Sequence, residues 1–521
     1  MATGYVIRAN QYFDSVFLMR AARRISEQPG VIQAAALMGT DTNKELLAEI
    51  GVGGPDIAAA TPNDLILTVI ADDEDVIAGL LDNPERWLQR EQTSTKRPIV
   101  RTLDEALASA QSGARNSNLA VISVPGDYAA YEARHALERG LNVFLFSDNV
   151  AIEDELSLKQ YAHQRGLVVM GPDCGTAIIR GVGIGFANVV RRGPIGAIAA
   201  SGTGLQELTT LVHRAGSGIS HAIGTGSHDL SDVIGGITTL DAFDALEADT
   251  DTRLIAVLSK PPGANTLARL MERIDGCSKP VVACFLGIRE IPATAPHVSV
   301  VRTLDDVASK AVQVATGNRA GLSTRDDLQA LARRERARMK ADQRYVRGIF
   351  AGGTFCYQAQ QMFQDAGIKV YSNAPLKGNA KLPDPRRSLE HSLVDMGADE
   401  FTQGRPHPMI DSTLRGERIL AEARDPQVAV LLLDFILGYG SAAEPAGDLA
   451  DAIVEAKRIV SQRGGYLSVV ASVCGTDEDP QGLEQQTEIL KATNVIVLSS
   501  STQAALFSRM LATEETHEKR T

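Results

Sequence analysis

Nine short apolar runs recur between residues 118 and 499, and they constrain the fold of this chain more than any other feature. They are NLAVISV (118–124), LNVFLFS (141–147), GLVVMG (166–171), IGAIAA (195–200), RLIAVLS (253–259), KPVVACFLG (279–287), VAVLLLDF (428–435), GYLSVVAS (465–472) and NVIVLS (494–499). Amphipathic stretches of helical character alternate with them, as from Ala129 to Leu137. Uninterrupted apolar strands alternating with helices require parallel sheets covered on both faces. The crossovers in such sheets are right-handed as a rule. The expected fold class is α/β, with several doubly wound, mostly parallel sheets. A chain of 521 residues exceeds one core, so about three or four domains are expected.

Two segments mark boundaries. Residues 85–98, ERWLQREQTSTKRP, are polar and end an N-terminal αβ domain at 1–95. Residues 319–345 are rich in arginine and helix formers, which predicts a solvated linker helix. A basic rim for an anionic partner is the other reading. Between and beyond lie domains at 96–190, 191–318 and 346–521. The tetrad RTLD occurs twice, pairing Thr102 with Glu105 and Thr303 with Asp306. A threonine followed three residues later by an acid predicts a helix start.

Charge and cysteine usage exclude whole classes. A net charge of −12 argues against nucleic-acid binding through phosphate neutralisation, while leaving room for a local site for small anions. Five scattered cysteines without a CxxC pair fit a reducing compartment. The opening MATGYVIRANQYFDS lacks the basic-then-apolar order of a signal peptide. No apolar run reaches the ~18 residues of a membrane span. A cytoplasmic protein with neither membrane nor nucleic acid as partner is expected.

One strand–helix junction is written twice. Ser201-Gly202-Thr203 is followed by Ala215-Gly216, and Gly352-Gly353-Thr354 by Ala366-Gly367. An apolar run precedes each copy, and Gly204 extends the first. The first turn of a helix carries unpaired N–H groups and about half a positive charge. Glycine lets a ligand approach that backbone, and a threonine hydroxyl adds a donor. Two such termini facing each other would hold one phosphate from both sides. The alternative is two ordinary tight turns with capping residues. No G-x-x-x-x-G-K-[ST] loop occurs, and GVGIGFANVV (181–190) lacks the full dinucleotide fingerprint.

The stretch from VISVPGDY to GPDCGTAII, containing Val124-Pro125-Gly126 and Gly171-Pro172-Asp173-Cys174, resembles the CoA-binding domain of the succinyl-CoA synthetase alpha subunit. AIAASGTGLQEL and GTGSHDLSDVIGGITTLDAF resemble the ligase domain that follows it. Residues 346–521, with LLLDFILGYG, resemble a second ligase domain of the beta-subunit kind. The resemblance implies fused synthetase parts: a Rossmann-like CoA-binding-like domain and two flavodoxin-like ligase domains. Over its whole length the chain resembles the FdrA family, through FDSVFLMRAARRISEQPGVIQAAALMGTDTNKELL, HPMIDSTLRGERI and LLLDFILGYGSAAEP. The synthetases carry a phosphorylated histidine in a Gly-His-Ala-Gly loop, and this chain has none after KPVVACFLG. His297, in TAPHVSV, has no flanking glycines.

The FdrA resemblance implies a carbamoyltransferase subunit in allantoin and purine nitrogen catabolism. Oxalurate and phosphate would be interconverted with oxamate and carbamoyl phosphate, together with proteins encoded alongside. Homo-oligomerisation is a further possibility. The alternative is an acid–CoA ligase or CoA transferase, with CoA as cofactor; a non-catalytic scaffold is a third reading. No cofactor is certain and no metal is expected. The phosphate-binding candidates are Ser201, Gly202, Thr203, Gly204, Gly352, Gly353 and Thr354. Asp173 and Cys174 stand at a strand end, where open α/β sheets place ligands. Gly226, His228 and Asp229 share a glycine-rich loop, and His228 or Asp229 would orient substrate or take a proton. His407, Asp411 and Asp434 complete the set, Asp434 because a charge ends an apolar strand. Arg180 or Arg415 would take a substrate carboxylate.

Overall fold

The computed structural model describes residues 2–512 except 12, 14, 27, 50, 89–99, 112–116, 289–293, 318–324 and 404. The polar boundary stretch from 89 onward and the start of the basic segment, 319–324, lie outside the described residues. Two compact units result: residues 1–100 with 402–406, and residues 101–401 with 407–521.

In the first unit the strands Ala2–Arg8 and Val31–Met38 flank Leu65–Ala71, and both pairings are antiparallel. The central strand, LILTVIA, is buried almost throughout. Leu18, Ala21 and Ile25 from the helix Ser15–Ser26 share its core with Ile77 and Leu80. Asp73 caps the helix Glu74–Leu81 by accepting from the Val76 amide. The expected αβ pattern is present, but the antiparallel order is not what the rest of the chain suggests. Here helices cover both faces of a small antiparallel sheet: Leu65, Leu67 and Val69 face the helices Ser15–Ser26 and Glu74–Leu81, and Ile66 faces Leu47 and Ile57 of the helices Asp41–Glu49 and Pro55–Ala59.

The second unit contains three sheets. The first is small and parallel, ordered Leu119–Ile122, Asn142–Leu145, Val169–Met170. Among the described residues it is one mononucleotide-type βαβαβ half without a second.

The second sheet has seven strands, in the order Val298–Val301, Val281–Phe285, Leu254–Ser259, Arg192–Ala199, Ile219–Gly224, Thr176–Ile179, Val182–Gly185. The first five are parallel, and the last two form an antiparallel hairpin on the edge. Arg180 and Gly181, both with positive φ, make its two-residue turn. Sequence reading placed 176–185 with the preceding domain. These strands pair with Ile219–Gly224 instead, so the sheet boundary falls before Thr176. Four-residue, glycine-rich strands give little periodicity to read.

The third sheet is wholly parallel: Ala380–Lys381, Tyr371–Ser372, Ser392–Asp395, Tyr345–Phe350, Val428–Ile436, Ser468–Cys474, Ile496–Leu498. Its longest strand, VAVLLLDFI, is buried at every position, as a strand covered on both faces must be. Both RTLD tetrads open helices: Thr303 accepts from the Asp306 amide and Thr102 from the Glu105 amide. All five cysteines are buried and unpaired. No helix of the described residues is long and apolar enough to cross a membrane.

The two seven-stranded sheets position the site. Arg192–Ala199 runs into the helix Gly202–Arg214, and Tyr345–Phe350 into the helix Gly353–Asp365. Leu205, Leu208 and Val212 of the first helix share one apolar core with Phe355, Ala359 and Phe363 of the second. That core locks the helices together.

Candidate functional site

The duplicated junctions meet. The Ser201 and Thr354 hydroxyls are hydrogen-bonded to each other although 153 residues separate them. Ser201 also caps its helix by accepting from the Gly204 amide at 3.1 Å. A Cβ on Gly204 would lie 2.8 Å from Ser201 Oγ and 3.2 Å from Thr354 Cγ2, so only glycine lets the termini come this close.

First-turn amides have no intrahelical acceptor. Those of Gly202, Thr203, Gly353 and Thr354 find no backbone acceptor among the described residues. Ser201, Gly202, Thr203 and Gly353 are half-buried, so a ligand can reach them. We call this the cradle. Each terminus supplies about half a positive charge.

One expected donor is taken. The Gly352 amide donates to Asp434 Oδ2 at 2.7 Å, and the Ala351 amide donates to Oδ1 at 2.8 Å. Gly352 therefore shapes the turn and offers no N–H to a ligand. Asp434, a candidate catalytic acid, is buried and also accepts from Arg415 Nη2 at 2.8 Å. With both oxygens engaged, its place in the structure is to clamp the cradle. The same pairing commits Arg415, while Arg180 sits in the exposed hairpin turn. Neither arginine faces the cradle as a free carboxylate receptor.

The carboxylate that does face it is Asp395, which sequence reading missed. It ends the strand Ser392–Asp395, and its Oδ2 would lie 2.6 Å from a Cβ on Gly353. The Gly397 amide donates to its Oδ1 at 2.9 Å. Burial pushes its carboxyl up to about 6, against the opposing pull of the Lys260 charge. Its signal was available: SLVD is an apolar strand ending in a charge, like LLLDF.

A raised carboxyl is a base in waiting and a stability cost. The native state keeps the Asp395 proton between the ordinary carboxylate range and about pH 6, where the unfolded chain has lost it. The contribution to stability is present at lower pH and is lost as pH rises through about 6. Asp395→Asn is therefore expected to stabilise the protein at pH 8 by up to about 3 kcal/mol. It should leave stability near pH 3 unchanged, as chemical unfolding at the two pH values will show. A variant no more stable at pH 8 would contradict this burial.

The glycine-rich loop divides in two. Asp229 is fully buried, 2.7 Å from Lys159 Nζ, and accepts from Thr239 Oγ1 at 2.6 Å and the Thr238 and Thr239 amides. That saturation makes it a structural tie rather than a proton carrier. His228 is 61% exposed, with Nδ1 3.5 Å from Glu155 Oε2, and stays open to a ligand. Asp173 has φ +54° and is exposed; crowding protein pushes its carboxyl up, while Ser227, His228 and Lys260 draw it down. Cys174 is buried and its thiol is pushed up to about 12, which makes it inert.

Gly226 has φ +90°, and a Cβ there would stand 2.3 Å from the Pro172 carbonyl oxygen. It joins the Asp173 and His228 loops by close approach. Gly226→Ala is expected to lower stability by about 2–3 kcal/mol, read as a fall in thermal midpoint.

His407 is half-buried and stays neutral, because burial pushes it down to about 4. Its Nδ1 accepts from the Met409 amide at 3.2 Å, which leaves Nε2 with the proton. Nε2 would lie 2.7 Å from a Cβ on Gly397, beside Asp395. Asp411 accepts from the Thr413 amide at 2.8 Å and opens the helix Thr413–Ala423. His297 precedes the strand Val298–Val301, and its carbonyl accepts from the Val281 amide. It thus stands at the start of the parallel strands, the opposite edge of the sheet from the cradle.

Residues 349–511 match the CoA-ligase family, and residues 1–110 match the AllF heavy metal-associated domain. An uncharacterized Escherichia coli protein, YahF, is 44% identical over 98% of this chain and 98% of its own length. The succinate–CoA ligase [ADP-forming] alpha subunit of Methanothermobacter thermautotrophicus is 28% identical over 34% of this chain and 59% of that subunit. Among solved structures, acetyl-coenzyme A synthetase 1 of Candidatus Korarchaeum cryptofilum is 18% identical. It covers 76% of this chain and 82% of its own at a TM-score of 0.28, too loose to carry an argument. Residues 1–110 contain neither cysteine nor histidine, so they lack the thiolates and imidazoles that hold most heavy metals. Among the described residues no group of three or more histidine, cysteine, aspartate or glutamate side chains is placed to hold a metal ion. The residues do not fit the metal in that domain's name.

Proposed function

The chain belongs to the family of Escherichia coli YahF, and on that footing we propose that it is an acyl-transfer enzyme of the CoA-ligase kind that works without a phosphohistidine. The observation that carries this reading is the Ser201–Thr354 contact, which brings two helix N-termini together over one half-buried space. A phosphate bound there accepts N–H donation from both sides. In one direction an acceptor attacks the carbonyl carbon of an acyl phosphate. The bond from that carbon to the bridging oxygen breaks, and inorganic phosphate is left in the cradle. In the other direction phosphate attacks the acyl compound. Donors aimed at the developing charge lower the barrier, one of them often by about 3 kcal/mol. Asp395, ionised at neutral pH, takes the acceptor's proton.

The first reading of the acceptor is the thiol of CoA, in keeping with the match of residues 349–511 to CoA-ligases. The second is the amide of oxamate attacking carbamoyl phosphate. The match of residues 1–110 to the AllF domain favours it only in fitting the FdrA resemblance, and it is that resemblance which implies carbamoyl transfer. Among the described residues the one βαβαβ half also provides less of a nucleotide-binding sheet than a complete dinucleotide fold. Phosphate release will separate the two. The protein, alone and with the products of neighbouring genes, is incubated with acetyl phosphate, propionyl phosphate or succinyl phosphate and CoA, or with carbamoyl phosphate and oxamate. CoA-dependent release supports the first reading and oxamate-dependent release the second. Release in neither mixture, with neighbours present, removes both.

A further inference from the structure

Lys260 directly follows the buried strand Leu254–Ser259 and is itself exposed. Among the described residues it forms no ion pair. Its ammonium lies 5.6 Å from the centre of the Tyr357 ring, on the second turn of the second cradle helix. The Tyr357 hydroxyl would lie 3.1 Å from a Cβ on Gly287, with Pro261 Cγ at 3.4 Å from the same point. Tyr357 thus holds the end of the Leu254–Ser259 strand against that helix. The Lys260 charge also acts on Asp395 and Asp173, on two further elements. These neighbours set the ammonium beside the second cradle helix.

Charge counting gives this position a purpose. Two helix termini offer together about one positive charge, and a phosphate dianion carries twice that. Ionised Asp395 adds another negative charge beside it. A further cation would balance a dianion, and Lys260 is placed for it: its strand is bonded to the first cradle strand where the Ala200 amide donates to the Leu258 carbonyl, and its ammonium stands beside Tyr357 of the second cradle helix. We propose that Lys260 is the substrate-binding cation of the cradle, its ammonium contacting the phosphate of inorganic phosphate or an acyl phosphate. This rests on the cradle reading above and adds the residue that makes it selective for a dianion. The lysine also follows an apolar strand in the sequence RLIAVLSK, the same signal that marks Asp395.

The test is calorimetric titration of inorganic phosphate into the full-length protein at pH 7.5, over a series of salt concentrations. Four forms are compared: unaltered, Lys260→Gln, Lys260→Arg and Gly202→Val. Lys260→Gln is expected to weaken phosphate at least tenfold and to flatten the salt dependence. Lys260→Arg should restore most of the affinity, because it keeps the charge. Thermal midpoints should match for both, since Lys260 is exposed. Phosphate binding by Lys260→Gln within twofold of the unaltered protein, with the same salt slope, overturns the role of Lys260 while Gly202→Val still loses binding. If the unaltered protein does not bind phosphate, or Gly202→Val binds it equally well, the cradle itself falls, and this proposal with it.

Discussion

Gly202→Val is expected to abolish phosphate-dependent turnover and leave the fold standing. A Cβ at Gly202 would meet nothing nearer than Thr176 Oγ1 at 3.6 Å, so the site has room for a side chain. That room is where a ligand would approach the first-turn amides. A valine there fills it with methyl groups and shields the Gly202 and Thr203 N–H groups. Loss of one preorganised donor commonly costs 10²–10³ in rate, and this change removes two. The rate with acyl or carbamoyl phosphate should fall by about 10³ or more. The thermal midpoint should move by no more than a few degrees, as for a half-exposed first-turn position. Gly353→Val should behave differently. Its Cβ would stand 2.6 Å from Asp395 Oδ2, so it should lose both activity and stability. A Gly202→Val protein that keeps a tenth of the turnover would mean that the phosphate lies elsewhere.

The largest effect on stability is expected at Asp434. This carboxylate and Arg415 are buried together, 1% and 3% exposed. Arg415 Nη2 also donates to the carbonyls of Ile349 and Asp434, at 3.0 and 2.7 Å. Asp434→Ala leaves a buried guanidinium without its counter-charge and frees the Ala351 and Gly352 amides. Breaking one half of such a pair costs about 3–5 kcal/mol. Replacing both partners by apolar residues, Asp434→Leu with Arg415→Met, should cost distinctly less, because no buried charge is left behind. Urea unfolding of the single and double variants measures the difference. The single variant should also bind phosphate weakly, since the Ala351–Gly352 turn sets the start of the second cradle helix. A single variant within about 1 kcal/mol of the unaltered protein would show that the pair is not holding that turn.

Much of this was readable before any coordinates, and the division has a physical cause. The nine apolar runs all contain strands, most of them because a strand buried on both faces must be apolar at every position, while Leu119–Ile122 and Ile496–Leu498 are only partly covered. The repeated Ser201 and Gly352 junctions were visible as spacing. Their meeting was not, because packing between Leu205, Leu208, Phe355 and Phe363 sets it, and no local pattern records which core a helix will share. The hairpin at 176–185 was missed for want of length. Asp434 was singled out as a charge ending an apolar run, although its strand continues to Ile436, and the same rule applies to Asp395 and Lys260. Only the fold tells which of the three is sealed against an arginine and which face open space. Asp229 was read as a proton carrier because its pairing was hidden: its partner Lys159 lies 70 residues upstream.

The contact between Ser201 and Thr354 also has a history within each molecule. Joining residues so far apart in the chain is slow compared with forming local helices, since a long loop must close first. Each seven-stranded sheet can assemble around its own strands before the two helix starts are brought together. During refolding from urea, the helical signal should therefore return ahead of the capacity to bind phosphate. A nascent chain would show the same lag: the first half of the cradle waits on the ribosome for its second half to be made.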